Sequence, residues 1–206
     1  MTAARPVRPR DAASLAILRG HGAATEVLLG RRASRHRFMP NVYVFPGGRL
    51  DRADVVARPA SPLRPEVEAR LCARWSADIA RGLAVAAVRE TFEETGLAFG
   101  RVEQGRLAPE LSALDYIARA ITPPDSPIRY HARFFTARAE HAGGELRDSE
   151  ELSDLRWLRP EEALRLPLVD VTEFVLQEIV RRVSGWTPPG APLFCYRGGR
   201  ACVRYE

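Results

Sequence analysis

The apolar positions of this chain change their period as it runs. Residues 14–18 and 27–29 are short apolar runs separated by Gly20, His21 and Gly22, which predicts two strands joined by a turn. Residues 42–45 predict a third strand. It halts at Pro46-Gly47-Gly48, where the glycines permit a tight turn and close approach of backbone to a ligand. Residues 52–65 carry three prolines and little periodicity, so a loop is expected. The period then lengthens. Val67, Leu71, Trp75 and Ile79 recur every four residues behind Pro65, a residue suited to the first helical turn, and predict a helix over 65–80. Gly82 is expected to break or bend the chain. A second helix is predicted over 83–95, with Val85, Val88 and Phe92 on one face and Gly96 at its end.

Downstream, residues 116–121, 130–137 and 155–158 predict strands, and 160–165 a short helix. Residues 170–183 predict a longer helix that buries Phe174, Val175, Ile179 and Val183. Residues 193–196 and 201–205, joined by Gly198-Gly199, predict a closing hairpin. Strands and helices mix without a regular βαβ alternation, so the expected fold class is α+β, a mixed sheet packed with helices.

Composition narrows the picture. With 206 residues, 46% of them hydrophobic, the chain can fill one core, and a single domain over 12–206 is expected behind a flexible tail at 1–11. All 31 basic residues are arginine, and the net charge is +5. Guanidinium forks suit phosphate oxygens, yet net charge speaks to solubility and steering rather than to chemistry. No basic run interleaves with aromatics and no recognition-helix pattern occurs, so a nucleic-acid partner is not expected. No apolar run approaches the ~20 residues that span a bilayer, and the first residues lack the apolar stretch of a secretory signal. A membrane partner is therefore not expected either. Cys72, Cys195 and Cys202 form no Cys-x-x-Cys pair. Neither a zinc site nor a disulfide framework is indicated, which fits a reducing cytoplasm.

Candidate chemistry concentrates on the second predicted helix. Glu90, Glu93 and Glu94 stand at i, i+3 and i+4, on one face. Three like charges there cost helix stability, and a divalent cation offsets that cost. Mg²⁺ and Mn²⁺ take such oxygen ligands. Arg89, four residues before Glu93, can hold that carboxylate by a fork of hydrogen bonds.

Phe45-Pro46-Gly47-Gly48, followed by Arg89-Glu90-Thr91-Phe92-Glu93-Glu94-Thr95-Gly96-Leu97, resembles the Nudix box, Gly-x5-Glu-x7-Arg-Glu-U-x-Glu-Glu-x-Gly-U with U a bulky apolar residue. Thr91 departs from the first apolar position. Residues 51–81 interrupt the spacing as an insertion. Counting back from Arg89, Arg81 stands where the family has its first glutamate, with Glu66, Glu68 and Asp78 as candidates to replace it. An interrupted box resembles the coenzyme A diphosphatase type. Ile121-Thr122-Pro123-Pro124, then residues 129–135, is also similar to that branch, as is the spacing of Leu28, Leu29, Arg32 and Arg37 before the glycine turn.

This resemblance implies a Nudix fold, a mixed sheet sandwiched between helices (α/β/α). It implies hydrolysis of a diphosphate by a metal-activated water. Glu90, Glu93, Glu94 and the Gly47 carbonyl would hold Mg²⁺ or Mn²⁺, and Arg89 would orient the carboxylates. The catalytic set is then Arg89, Glu93, Glu94 and Glu150, with the general base open among the box glutamates, Glu145, Glu150 and Glu151. Arg32 and Arg37 are expected at substrate phosphates. The partner implied is a small nucleotide-type molecule, led by coenzyme A or acyl-CoA. An ADP-ribose or NADH-type dinucleotide is the alternative, as is a nucleotide-binding module of weak activity. A homodimer is a family-level expectation.

Overall fold

The computed structural model describes residues 7–33 and 40–205. β1 (Arg10–Arg19) and β2 (Glu26–Arg32) form the expected antiparallel pair. β1 begins inside the stretch expected to be tail. β3 (Tyr43–Val44) then joins β2, and β4 (Gly47–Arg49) crosses over to join β1. Three helices follow: α1 (Arg52–Val56), α2 (Pro65–Cys72) and α3 (Ala77–Thr95). β5 (Gly100–Glu103) and β6 (Arg106–Pro109) make a separate hairpin. β7 (Asp115–Ile121), β8 (Tyr130–Arg138) and β9 (Leu152–Leu158) return to the main sheet. α4 (Pro160–Ala163), α5 (Asp170–Val183), β10 (Pro192–Arg197) and β11 (Arg200–Tyr205) complete the described chain.

The strand order is β11-β10-β7-β8-β1-β2-β3, with β4 also on β1 and β9 also on β2. β1 runs parallel to β8 from Arg10↔Tyr130 to Leu18↔Arg138, and β10 runs parallel to β7. The other pairings are antiparallel, so the sheet is mixed. Alternation along each strand sends side chains to two cores. Leu15, Ile17 and Phe135 pack with α2 and α3 on one face. Ala16, Phe134 and Phe194 pack with α5 on the other. The α+β class and the sandwich of helix, sheet and helix are as expected.

Three local expectations need correction. Residues 52–56 are α1 rather than loop, because the Asp54 carboxylate turns back to accept the Asp51 N–H at 2.8 Å and closes the first turn. The helix predicted over 65–80 ends at Cys72, and α3 starts afresh at Ala77, capped by the Ser76 hydroxyl. Gly82 does not interrupt α3. A Cβ there would sit 3.1 Å from the Val55 Cα, so the glycine admits close packing of α1 against the helix. Thr91 fills its apolar box position by giving its hydroxyl to the Ala87 carbonyl at 2.8 Å, fully buried.

Candidate active site

α3 delivers its last two turns to the β4 corner, where Gly47 and Gly48 lie. A Cβ at Gly48 would collide with the Glu90 carboxylate, and one at Gly47 with Ser14 of β1. The corner therefore presses bare backbone onto the acidic helix. The Gly47 N–H donates to Glu94 Oε2 at 2.8 Å.

Arg89 organises the cluster. Its Nε and Nη2 fork onto Asp54 at 2.8 and 3.0 Å. Its Nη1 reaches Glu90 Oε1 and Glu93 Oε2, each at 3.0 Å, and Nη2 also reaches the Arg49 carbonyl at 3.2 Å. These bonds, the Asp54 fork first, hold the guanidinium pKa above its ordinary value against the cost of burial. Asp54 is only 2% exposed. It replaces Glu66, Glu68 and Asp78 as the carboxylate supplied from between the two halves of the box. Counting forward from Gly48, instead of back from Arg89, places Asp54 at Gly-x5-Asp. Arg81 bonds instead to the Val55 carbonyl and to Asp78, both at 2.9 Å.

Repulsion remains after Arg89 is saturated. Burial pushes Glu90 up, with Glu93 and Glu151 adding to the effect and Arg89 opposing it. Burial pushes Glu94 up to about 8, aided by Glu90 and Glu151 and opposed by the Gly47 N–H and by Arg32. The ionised forms of Glu90 and Glu94 are thus disfavoured by burial and by their acidic neighbours, Glu151 among them. Among the described residues, no three carboxylate, histidine or cysteine side chains are drawn tightly enough to form a metal cluster. Glu90 and Glu93 instead turn to Arg89, and Glu94 to Gly47. The donor chemistry nevertheless fits a hard divalent cation, since every candidate ligand is an oxygen and the residual charge is negative.

A cavity of about 610 Å³ opens beside this cluster, within the size range of small-molecule sites. It runs across the sheet from β4, over β1, β8 and β7, to β10. Glu90, Glu93, Glu94, Glu151 and Arg32 line one end; Ala120, Phe134, Phe194 and Tyr196 line the other. Glu151, not Glu150, is the lining residue from the acidic loop. Consecutive side chains leave the backbone in different directions, and the sequence could not choose between these neighbours. Glu145 is not among the residues lining the cavity; its backbone carbonyl lies against Gly96 at the end of α3. Arg37 and His36 lie outside the described residues. Tyr196 and Phe194 were missed as wall residues, because only the parallel pairing of β10 with β7 brings them here.

The other face of β8 carries a different set. Arg133 is fully buried, stacked 3.9 Å from the Trp75 ring centroid, and donates to Asp11 at 2.6 Å and to the His131 carbonyl. Arg119 meets His131 Nε2 at 3.0 Å. Trp75 and His131 therefore line no part of the cavity.

The NUDIX domain family model matches residues 78–179, which include the acidic end of α3 and its Arg89. The chain carries a Nudix domain. A Nudix hydrolase from Alicyclobacillus acidocaldarius is 29% identical, with 84% of this chain and 92% of that one covered at a TM-score of 0.66. A MutT Nudix hydrolase from Burkholderia pseudomallei is 21% identical, with 84% and 99% covered at 0.53. The Nudix domain of Shewanella oneidensis NrtR, crystallised with ADP ribose, is 16% identical, with 86% and 90% covered at 0.54. No curated protein matches the chain. The Nudix domain identifies the chain as a hydrolase of the pyrophosphate bond in nucleoside diphosphate derivatives, a class that generally uses divalent metal ions. Among the described residues, no helix is long and apolar enough to cross a membrane.

Proposed function

We propose that this Nudix hydrolase cleaves the diphosphate of coenzyme A or an acyl-CoA, releasing 3′,5′-ADP and a phosphopantetheine. The observation that carries this reading is the two-ended cavity. Four carboxylates and Arg32 stand where a diphosphate and its cation would be held. Aromatic and small apolar side chains stand where an uncharged arm would lie. The interrupted box, with Asp54 and Arg89 separated along the chain yet bonded, supports the same branch.

Glu90, Glu93 and Glu94, with the Gly47 carbonyl, would hold Mg²⁺ or Mn²⁺. A cation bound there supplies neutralisation of the diphosphate charge and acidifies the attacking water. Arg89, fixed by Asp54, keeps Glu90 and Glu93 aimed at one place. Glu151 takes the general-base role expected of Glu150, because it reaches the cavity and senses both Glu90 and Glu94. Arg32 would meet a substrate phosphate, a role supported by its place in the cavity lining and by its charge, which opposes the rise of Glu94.

The test is a panel of coenzyme A, acetyl-CoA, ADP-ribose and NADH with Mg²⁺ or Mn²⁺, products identified by mass. Turnover of coenzyme A to 3′,5′-ADP with the highest kcat/KM supports the reading. Preference for ADP-ribose or NADH replaces the substrate, and a thermal shift without product replaces the activity with binding. A cytoplasmic homodimer belongs to the same proposal; sedimentation of a monomer removes its second half.

A further inference from the structure

β10 and β11 form a hairpin beyond the residues matched by the Nudix model. Cys195 and Cys202 face each other in its register, with their sulfurs 3.3 Å apart. Both thiols are reduced and half-buried. Directly opposed residues of an antiparallel pair have Cα atoms roughly 4.5–5.5 Å apart, inside the window of about 4.4–6.8 Å that a disulfide accepts. Only a small approach of the sulfurs separates the present contact from a bond. The flanking residues matter as well. Phe194 and Tyr196 point to the other side of β10 and form the far wall of the cavity. Phe194 stacks on Phe174 of α5 and makes an edge-to-face contact with Tyr196.

We propose that Cys195 and Cys202 are a reversible dithiol–disulfide pair that staples the hairpin behind the apolar wall of the cavity. The oxidant is a small disulfide such as oxidised glutathione. Burial and the neighbouring sulfur push the Cys195 thiol up, and exchange begins when one thiolate of the pair attacks the small disulfide. That thiolate, its proton lost to solvent, displaces one glutathione thiolate and forms a mixed disulfide. The other cysteine then loses its proton, attacks the protein sulfur of the mixed disulfide and releases the second glutathione. Two electrons pass from the protein pair to the glutathione disulfide, and two protons leave the cysteines and return on the two glutathione thiols. Pairs of this kind in a reducing compartment act as redox-responsive rather than permanent links.

The test equilibrates the full chain in reduced-to-oxidised glutathione buffers and reads it by peptide mass and by amide hydrogen exchange. The expected result is loss of two hydrogens confined to the peptides carrying Cys195 and Cys202. It is reversed by dithiothreitol, with at least about tenfold slower exchange across the hairpin, as expected when local opening is restrained. Cys202→Ser should abolish the loss, and Cys72→Ser should leave it intact. A persistent glutathione adduct, a link to Cys72 or to a second chain, or unchanged exchange in the oxidised form would each overturn the proposal. None of these readouts needs a substrate, so they stand apart from the assignment of coenzyme A.

Discussion

Arg89 and Arg133 are both drawn out of water, and the two regions around them treat the positive charge in opposite ways. Arg89 meets Asp54, Glu90, Glu93 and a carbonyl. Its environment holds more acid than one guanidinium can neutralise; burial first, and the neighbouring carboxylates after it, push Glu90 and Glu94 up. Arg133 has one carboxylate, Asp11, and the face of Trp75; its Nε and Nη2 are buried without a hydrogen-bond partner. Burial pulls its pKa down. The first region retains an electrostatic deficit that a cation would relieve. The second leaves a guanidinium short of acceptors and holds no spare acid for a cation. Buried charge thus points to a cation site where acid is in excess, not wherever a charge is buried.

The sharpest way to break this contrast is Glu93→Gln. Its side chain is 55% exposed, so little packing is lost. Turnover should fall on the order of a thousandfold, about 4 kcal/mol of barrier, while the melting temperature holds. Equal losses in both would make the acidic end structural. Next is Asp54→Ala, which leaves Arg89 without its fork and costs about 3 kcal/mol of stability, as for other broken buried pairs. Denaturant unfolding measures it, and an unchanged midpoint would remove Asp54 from the organising role.

A pH scan sharpens the comparison further. Glu94 is raised in the folded state from its ordinary value near 4.5 to about 8. Its contribution is therefore fully present below about pH 4.5 and is lost as pH rises toward 8. Metal-free protein should melt at progressively lower temperature across that window, and Mg²⁺ or Mn²⁺ should flatten the decline. A flat metal-free profile would contradict the electrostatic deficit. The smallest effect is expected from Arg133→Met. Asp11 is 40% exposed and can rehydrate, and a buried pair replaced by apolar packing is often near neutral. Stability should change by about 1 kcal/mol, with turnover unaffected.

The sequence disclosed the acidic face of α3 and the Gly47-Gly48 corner, because helical spacing and glycine chemistry are local. It also indicated the sandwich, through periods of two and of nearly four. Asp54 was concealed because it lies next to the glycine turn in sequence but meets Arg89 across a long excursion, and counting from the far end led to Arg81. Gly82 misled for a related reason: its role is tolerance of a neighbour, and the neighbour, Val55, is far away along the chain. The β5–β6 hairpin was passed over because only Val102 and Leu107 offer it a weak alternation. Glu151 and the β10 wall needed the sheet order itself, which no single window contains.

That order also bears on how the molecule is made. β1 leaves the ribosome first, yet its parallel partner β8 ends at Arg138. The central pairing must wait until the stretch through Arg138 is translated, whereas α3 can coil from local contacts alone. The last wall of the cavity arrives later still, with β10. A nascent molecule therefore forms its acidic helix well before the apolar wall across the cavity, and the cavity becomes two-ended only when β10 arrives.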